Sequence, residues 1–395
     1  MNKIYESNIW KVYATRVITA LELSIAVYVL FLMANNLSMT QIMILEVFFI
    51  GLALILEVPS GAFADLYGRK NSMIIGMFAV TVAFIVFGFS TNFWHFLIGN
   101  LLVATGVALN SGANEAFIFD SLKECAREKE YAKIIGRANF LSLMVWGSTS
   151  LVSATLGEIF GFRPLYFFSA GSFFIGMIIM IFYKEPPIHK HIYEANYFKH
   201  LRDAVKFSYN HKTVWNLIVF FGIVSATTHL TWLVIQAYYG TANLPSIILG
   251  IAMFLYFAVS GIGNLIAGRF IKMFSKQTML FAILLSIGLS YIGIVVFGPI
   301  AGLFFIIIMS LGSGFRDVFI SDEINKRVES RQRATVISVQ NVSKNIVYIL
   351  LAPLIGVFTD IFTFGAGFIV MGSGLMIYFL FLIVSVKIRK NSIID

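Results

Sequence analysis

Charge is scarce in this sequence: Asp, Glu, Lys and Arg make up 12% of 395 residues, while 58% are hydrophobic. A soluble domain of this length covers its surface with polar side chains, so that balance excludes one. Cysteine is scarcer still. A single Cys, Cys125, rules out an intrachain disulfide and lies in a charged loop. There is no HExxH, no GxSxG elbow, no Walker loop and no Cys/His metal cluster. Common hydrolase chemistry, a bound metal and self-sufficient ATP-driven pumping are excluded with them; the expectation is no cofactor and no enzyme. Gly312-Ser-Gly and Gly372-Ser-Gly are helix-packing sites rather than nucleophile elbows.

What is abundant is apolar length. Mean hydropathy is +0.85, with 40 Phe and 31 Gly. A helix needs about 20 largely apolar residues to cross a bilayer. Such segments fall near 12–33, 42–64, 72–90, 93–118, 133–157 and 164–183, then near 214–238, 246–270, 278–297, 299–320, 334–358 and 364–386. Twelve transmembrane helices in two six-helix bundles, an all-α integral membrane protein, is the resulting expectation. The expected division is 1–183, a cytoplasmic linker 184–212, and 213–395. No cleavage pattern follows the first apolar stretch, which is read as a retained span.

Basic residues set the orientation, since Lys and Arg concentrate in cytoplasmic loops. With both termini inside, all 29 fall on that side except Arg163 in an outer loop and Arg16, Arg137, Arg316 and Lys344 within spans. The net charge of +9 therefore needs no nucleic acid. In the linker, Tyr193, Tyr197, Leu201, Val205 and Tyr209 recur every four residues, as in an amphipathic helix lying at the membrane interface.

The two halves repeat. Gly112 to Asp120 aligns with Gly314 to Asp322 at an offset of 202, which also pairs Asn139 with Asn341. An offset of 207 pairs Asn36, Gly61 and Arg69 with Asn243, Gly268 and Lys276. Between spans two and three stands Gly61-Ala-Phe-Ala-Asp65-Leu-Tyr-Gly68-Arg69-Lys70. This resembles the signature loop of the major facilitator superfamily (MFS), and length, span count and repeat are similar to that family throughout. Among its members the sequence looks most like bacterial drug–proton antiporters. It departs from them at Asn100 in span four, where an Arg is usual, and at the end of span five, SATLGE, which lacks a Gly-Pro pair.

The resemblance implies alternating access and two sets of functional residues. Gly61, Asp65, Gly68, Arg69, Lys70 and Asp120 would form a cytoplasmic gate, with Asp65, Arg69 and Asp120 together. In the second half Asp322 would face Arg269, Lys272 and Lys276, with Lys272 where the first half has Asp65. Spans one, four, seven and ten line the family's cavity, which selects Arg16, Glu22, Glu115, His229, Arg316 and Asp317, with Trp232 and Gln236 able to stack on or bind an organic solute. Asn139, Asn341 and Lys344 would complete it. A charge in a bilayer costs roughly 2.5–3.5 kcal/mol on insertion scales, so each must be paired, wet or functional. Pairing is the simplest reading for Glu115 with Arg137 and for Asp317 with Arg316; Glu22, nearest mid-membrane, suits a proton-coupling carboxylate. The expected activity is proton-coupled efflux of a small organic solute by a monomer in the cell membrane. The alternatives are proton-coupled uptake of a nutrient or organic anion, and, further off, a membrane-embedded enzyme or a receptor.

Overall fold

A computed structural model describes residues 3–187, 205, 206, 208–328 and 330–389. Thirteen α-helices account for nearly all of them: α1 Glu6–Ala20, α2 Tyr28–Ala34, α3 Met39–Tyr67, α4 Arg69–Phe89, α5 Phe93–Glu124, α6 Tyr131–Phe160 and α7 Arg163–Ile181, then α8 Lys212–Gly240, α9 Ile247–Met273, α10 Lys276–Val296, α11 Gly298–Arg327, α12 Ser330–Ile361 and α13 Ala366–Arg389. Eleven, α3 to α13, are long and apolar enough to cross a membrane. The linker helix expected through Tyr193, Tyr197 and Leu201 lies outside the described residues.

The first span departs from expectation. Its apolar stretch is not one helix but two, with residues 21–27 in turns closed by three-residue bonds such as Ile25 N to Glu22 O (3.3 Å) and Val27 N to Ser24 O (3.0 Å). Broken backbone at membrane depth must find other partners. Serines provide them. Ser153 of α6 donates to the Leu23 carbonyl, Ser172 of α7 donates to that of Leu21 (3.4 Å), and Ser169 Oγ accepts from the Ser24 N–H (3.2 Å).

The chain divides into two compact units, Met1–Leu37 with Ile44–Tyr193, and Ser38–Met43 with Glu194–Asp395. The first turn of α3 thus clusters with the second unit, where Asp360 receives it: the carboxylate accepts from Met39 N (2.8 Å), Thr40 N (2.8 Å) and Thr40 Oγ1 (2.6 Å). Within each unit the helices pack on small residues. Where α4 crosses α5, a Cβ on Gly106 would stand 2.5 Å from the Gly76 carbonyl, so only glycine permits that approach.

The offset of 207 reappears in the backbone. Helices α4 and α10 are each 21 residues long and begin and end 207 residues apart. Asn36 and Asn243, at the same offset, both take positive φ, 63° and 49°. Asparagine tolerates this left-handed conformation better than any bulky residue.

Candidate functional site

In the first unit a cavity of about 300 Å³ opens among α1, α4, α5, α6 and α7. From the first span it takes Val12, Thr15, Arg16, Thr19 and Glu22, the i, i+3, i+4, i+7, i+10 stripe of one helical face. Asn110, Asn114, Trp146 and Tyr183 add amides and aromatic surface. Tyr183 donates to Thr15 Oγ1 (2.9 Å), which fixes the aromatic wall against α1. Glu22 sits in the break between α1 and α2, where its one hydrogen bond is a long one, from Ser24 Oγ at 3.5 Å. Neither Arg16 nor Glu22 forms an ion pair among the described residues; the charges nearest Arg16 in effect are those of Glu115 and Tyr183, beyond ion-pair distance.

Glu115 and Asn139 do not join this site. Both are exposed, and Glu115 makes no ion pair with Arg137. Asn110 and Asn114 of α5 line the cavity instead; they lie two turns and one turn before Ile118, and their i, i+4 spacing was the signal. Asn100, at the departure from the antiporter pattern, donates to the Tyr28 hydroxyl (3.2 Å) within the packed interior.

At one end of the same unit lies a charge cluster. Arg69 pairs with Asp120, their side chains 13% and 15% exposed. Asp65 is not part of that pair, and one of its carboxylate oxygens is buried with no hydrogen-bond partner among the described residues. Gly68 adopts φ 94°, a conformation that a side chain would strain, and so turns the chain from α3 into α4. The turn exposes the first amides of α4, and Glu185 caps them: its carboxylate accepts from Arg69 N (2.9 Å) and Lys70 N (2.7 Å). Glu185 is held in place because Asn8 of α1 bonds both the N–H and the carbonyl of Lys184 (2.9 and 2.8 Å). Sequence reasoning missed Glu185, although a carboxylate directly after a span and before Pro186-Pro187 marks a chain end free to cap a neighbour. Gly61 meets only open space and plays no packing role here.

The second unit arranges its charges differently. Asp322 pairs with Lys326 on its own helix, not with Arg269, Lys272 or Lys276 as expected. The buried Glu323, one residue on, takes Arg327 and Lys276 (3.8 Å) instead. The i, i+4 geometry within α11 makes Lys326 the nearer partner for Asp322, and Arg269 and Lys272 are exposed. Deeper in the unit Arg316 binds Asp317 (2.6 Å), donates to Thr228 and lies over the Phe221 ring at 6.0 Å. Tyr256 donates to the Thr228 carbonyl (2.7 Å), and His229 meets Tyr348 edge-on at 5.3 Å. Gln236 is buried, its amide donating to the Trp232 carbonyl (3.1 Å). Lys344 is half-buried on α12, and Asn341 on the same helix is exposed.

Comparison with known proteins places these features in a family. The Major Facilitator Superfamily profile matches residues 12–322. An uncharacterised transporter of Buchnera aphidicola subsp. Schizaphis graminum is 28% identical over 173 residues, 41% of this chain and 42% of that one. A second, from Buchnera aphidicola subsp. Acyrthosiphon pisum, is 28% identical over 143 residues, 36% and 35% of the two chains. The chain thus spans about two fifths of the length of these curated relatives. Among solved structures, a variant of the nucleoside transporter NupG superposes with a TM-score of 0.81 over 95% of this chain and 98% of that one, at 11% identity. A D-xylose-proton symporter does so with 0.73 over 95% and 96%, also at 11% identity. At such identities the likeness is one of fold.

Proposed function

The chain belongs to the major facilitator superfamily and is a multi-pass membrane transporter of that type, and from this premise we propose that it exports a small organic solute in exchange for protons. The observation that carries the proposal is Glu22, a carboxylate without an ion-pair partner in the cavity of the first unit. A carboxylate away from water favours its protonated form, and a change of surroundings reverses the preference. Alternating access supplies that change: protonated while open to one side, ionised while open to the other. The Arg69–Asp120 pair, with Glu185 on the α4 amides, is the latch that one state keeps and the other releases. Export rather than uptake rests on the general resemblance of the sequence to bacterial drug–proton antiporters. Uptake of an organic anion rests on Arg16, Arg316 and Lys344, and Arg316 is neutralised by Asp317, which weakens that alternative. The transporter works as a monomer in the cell membrane, termini in the cytoplasm.

The test is expression in a host stripped of its main efflux pumps, screened against toxic compounds, beside the Glu22→Gln variant. The expected outcome is resistance to at least one compound, lost in the variant, while counterflow of that compound in proteoliposomes persists. Resistance undiminished by Glu22→Gln would remove Glu22 from the coupling step.

A further inference from the structure

Two opposite charges share the cavity of the first unit without touching. Arg16, near the end of α1, and Glu22, in the break that follows it, both line this cavity. They form no ion pair with each other or with another described residue. Each bears an unusual amount of unused bonding capacity. A guanidinium has five donors, and none of Arg16's has a partner in the protein among the described residues. A carboxylate beside a helix break would ordinarily cap the loose amides, but Ser153, Ser169 and Ser172 satisfy that backbone instead. Glu22 is left with the 3.5 Å contact from Ser24. The serines thus hold the break open at no cost to the carboxylate.

A charge in a low-dielectric setting is costly until a group of opposite sign arrives, and a carboxylate there holds a proton until one does. One cationic and one anionic group on the same solute would compensate both at once. A carboxylate hydrogen-bonded to Arg16 and an ammonium hydrogen-bonded to Glu22, each at about 2.8 Å, would do so within this one cavity. Beside them the wall carries the amides of Asn110 and Asn114 and the rings of Phe84, Trp146 and Phe173. A volume of about 300 Å³ matches the low end of small-molecule sites.

We infer that this cavity binds a zwitterionic solute of the amino-acid type, its carboxylate on Arg16 and its ammonium on Glu22. The inference rests on the reading of Glu22 as the coupling carboxylate and adds what displaces its proton: the ammonium and the proton compete for the same oxygen atoms, so each leaves when the other binds.

Binding to the purified protein tests it without any gradient. The probes are the twenty L-amino acids and simple dipeptides, each beside its C-terminal amide and its N-acetyl derivative, for instance L-phenylalanine, L-phenylalaninamide and N-acetyl-L-phenylalanine. At least one zwitterion should raise Tm in a concentration-dependent way, and both single-charge analogues should bind at least about 30-fold more weakly. Arg16→Gln should lose the zwitterion preference and accept the amide, while Glu22→Gln should accept the N-acetyl acid. Arg16→Lys and Glu22→Asp, which keep the charges, should retain the zwitterion preference and show that the site is folded. The inference is overturned if no zwitterion outbinds its two analogues, or if the charge-removing variants leave the preference unchanged. Because no transport is measured, a failed efflux screen leaves this result standing, and a successful one does not rescue it.

Discussion

In the proposed gate the smallest unit is Arg69, whose guanidinium binds Asp120 while its own N–H is capped by Glu185. Exposed ion pairs contribute about 0–1 kcal/mol, whereas breaking a buried one costs about 3–5 kcal/mol. With both side chains mostly shielded, this pair falls between those limits. Arg69→Gln and Asp120→Asn should therefore each lower Tm, and the double variant should lose less than the two losses added. Additive losses in that thermal cycle would show that the two side chains act independently. This pair is legible in the sequence through the resemblance of the Gly61–Lys70 loop to the family signature, which implies a charge network of Arg69 with the acid ending span four. Asp322 was legible as an acid and illegible in its partner: an i, i+4 lysine on the same helix competes with every cross-helix cation, and a repeat offset carries no information on which wins. Glu185 escaped notice because a cap is a meeting of two chain ends 116 residues apart, which no local pattern records.

At the scale of elements, hydropathy located the spans because lipid imposes one rule on every exposed helix face, and α4 and α10 follow it with matching limits. The break in the first span defeated that reading. Residues 12–33 are apolar enough to pass as one helix, and the turns exist because serines on α6 and α7 supply bonds that the first span does not contain. The start of α3 depends on a distant residue in the same way. Asp360 accepts three hydrogen bonds from Met39 and Thr40, and Gly356, one turn earlier on α12, lets the backbones meet, since a Cβ there would stand 2.7 Å from the Thr40 Cα. Gly356-Val-Phe-Thr-Asp360 shares the Gly-x-Phe-x-Asp spacing of Gly61-Ala-Phe-Ala-Asp65, a likeness that the repeat offsets of 202 and 207 do not pick up. Losing such a cap costs about 1–2 kcal/mol, a factor of roughly 5–30 in a local opening equilibrium. In Asp360→Ala, hydrogen exchange at the amides of residues 39–43 should accelerate by that factor, with the amides beyond Ile50 unchanged. Unaltered exchange in the first turn would mean that the cap does not hold it.

For the whole molecule, orientation organises everything else, because a gate is inner or outer only once the sides are known. The distribution of Lys and Arg predicts that the α5–α6 loop and both termini lie in the cytoplasm, and the α4–α5 and α12–α13 loops outside. The chain is well suited to a direct test, since Cys125 is its only cysteine. That thiol is buried, and burial raises its pKa. A raised pKa leaves less thiolate at neutral pH, and the thiolate is the nucleophile that a maleimide needs. Background labelling should therefore be slow, and Cys125→Ser removes what remains. In that background, Thr91→Cys and Thr363→Cys place thiols at exposed positions in the α4–α5 and α12–α13 loops, and Lys129→Cys places one in the α5–α6 loop. A membrane-impermeant maleimide added to intact cells should label the first two and spare the third, which should react only after the membrane is opened. The reverse pattern would invert the molecule, turning the Arg69–Asp120–Glu185 cluster into an outer gate and the direction of proton release at Glu22 with it. Labelling of all three in intact cells would break the alternation of loops between the two sides on which the twelve-span reading depends. The three accessibilities thus bear on the gate, the coupling and the span count together.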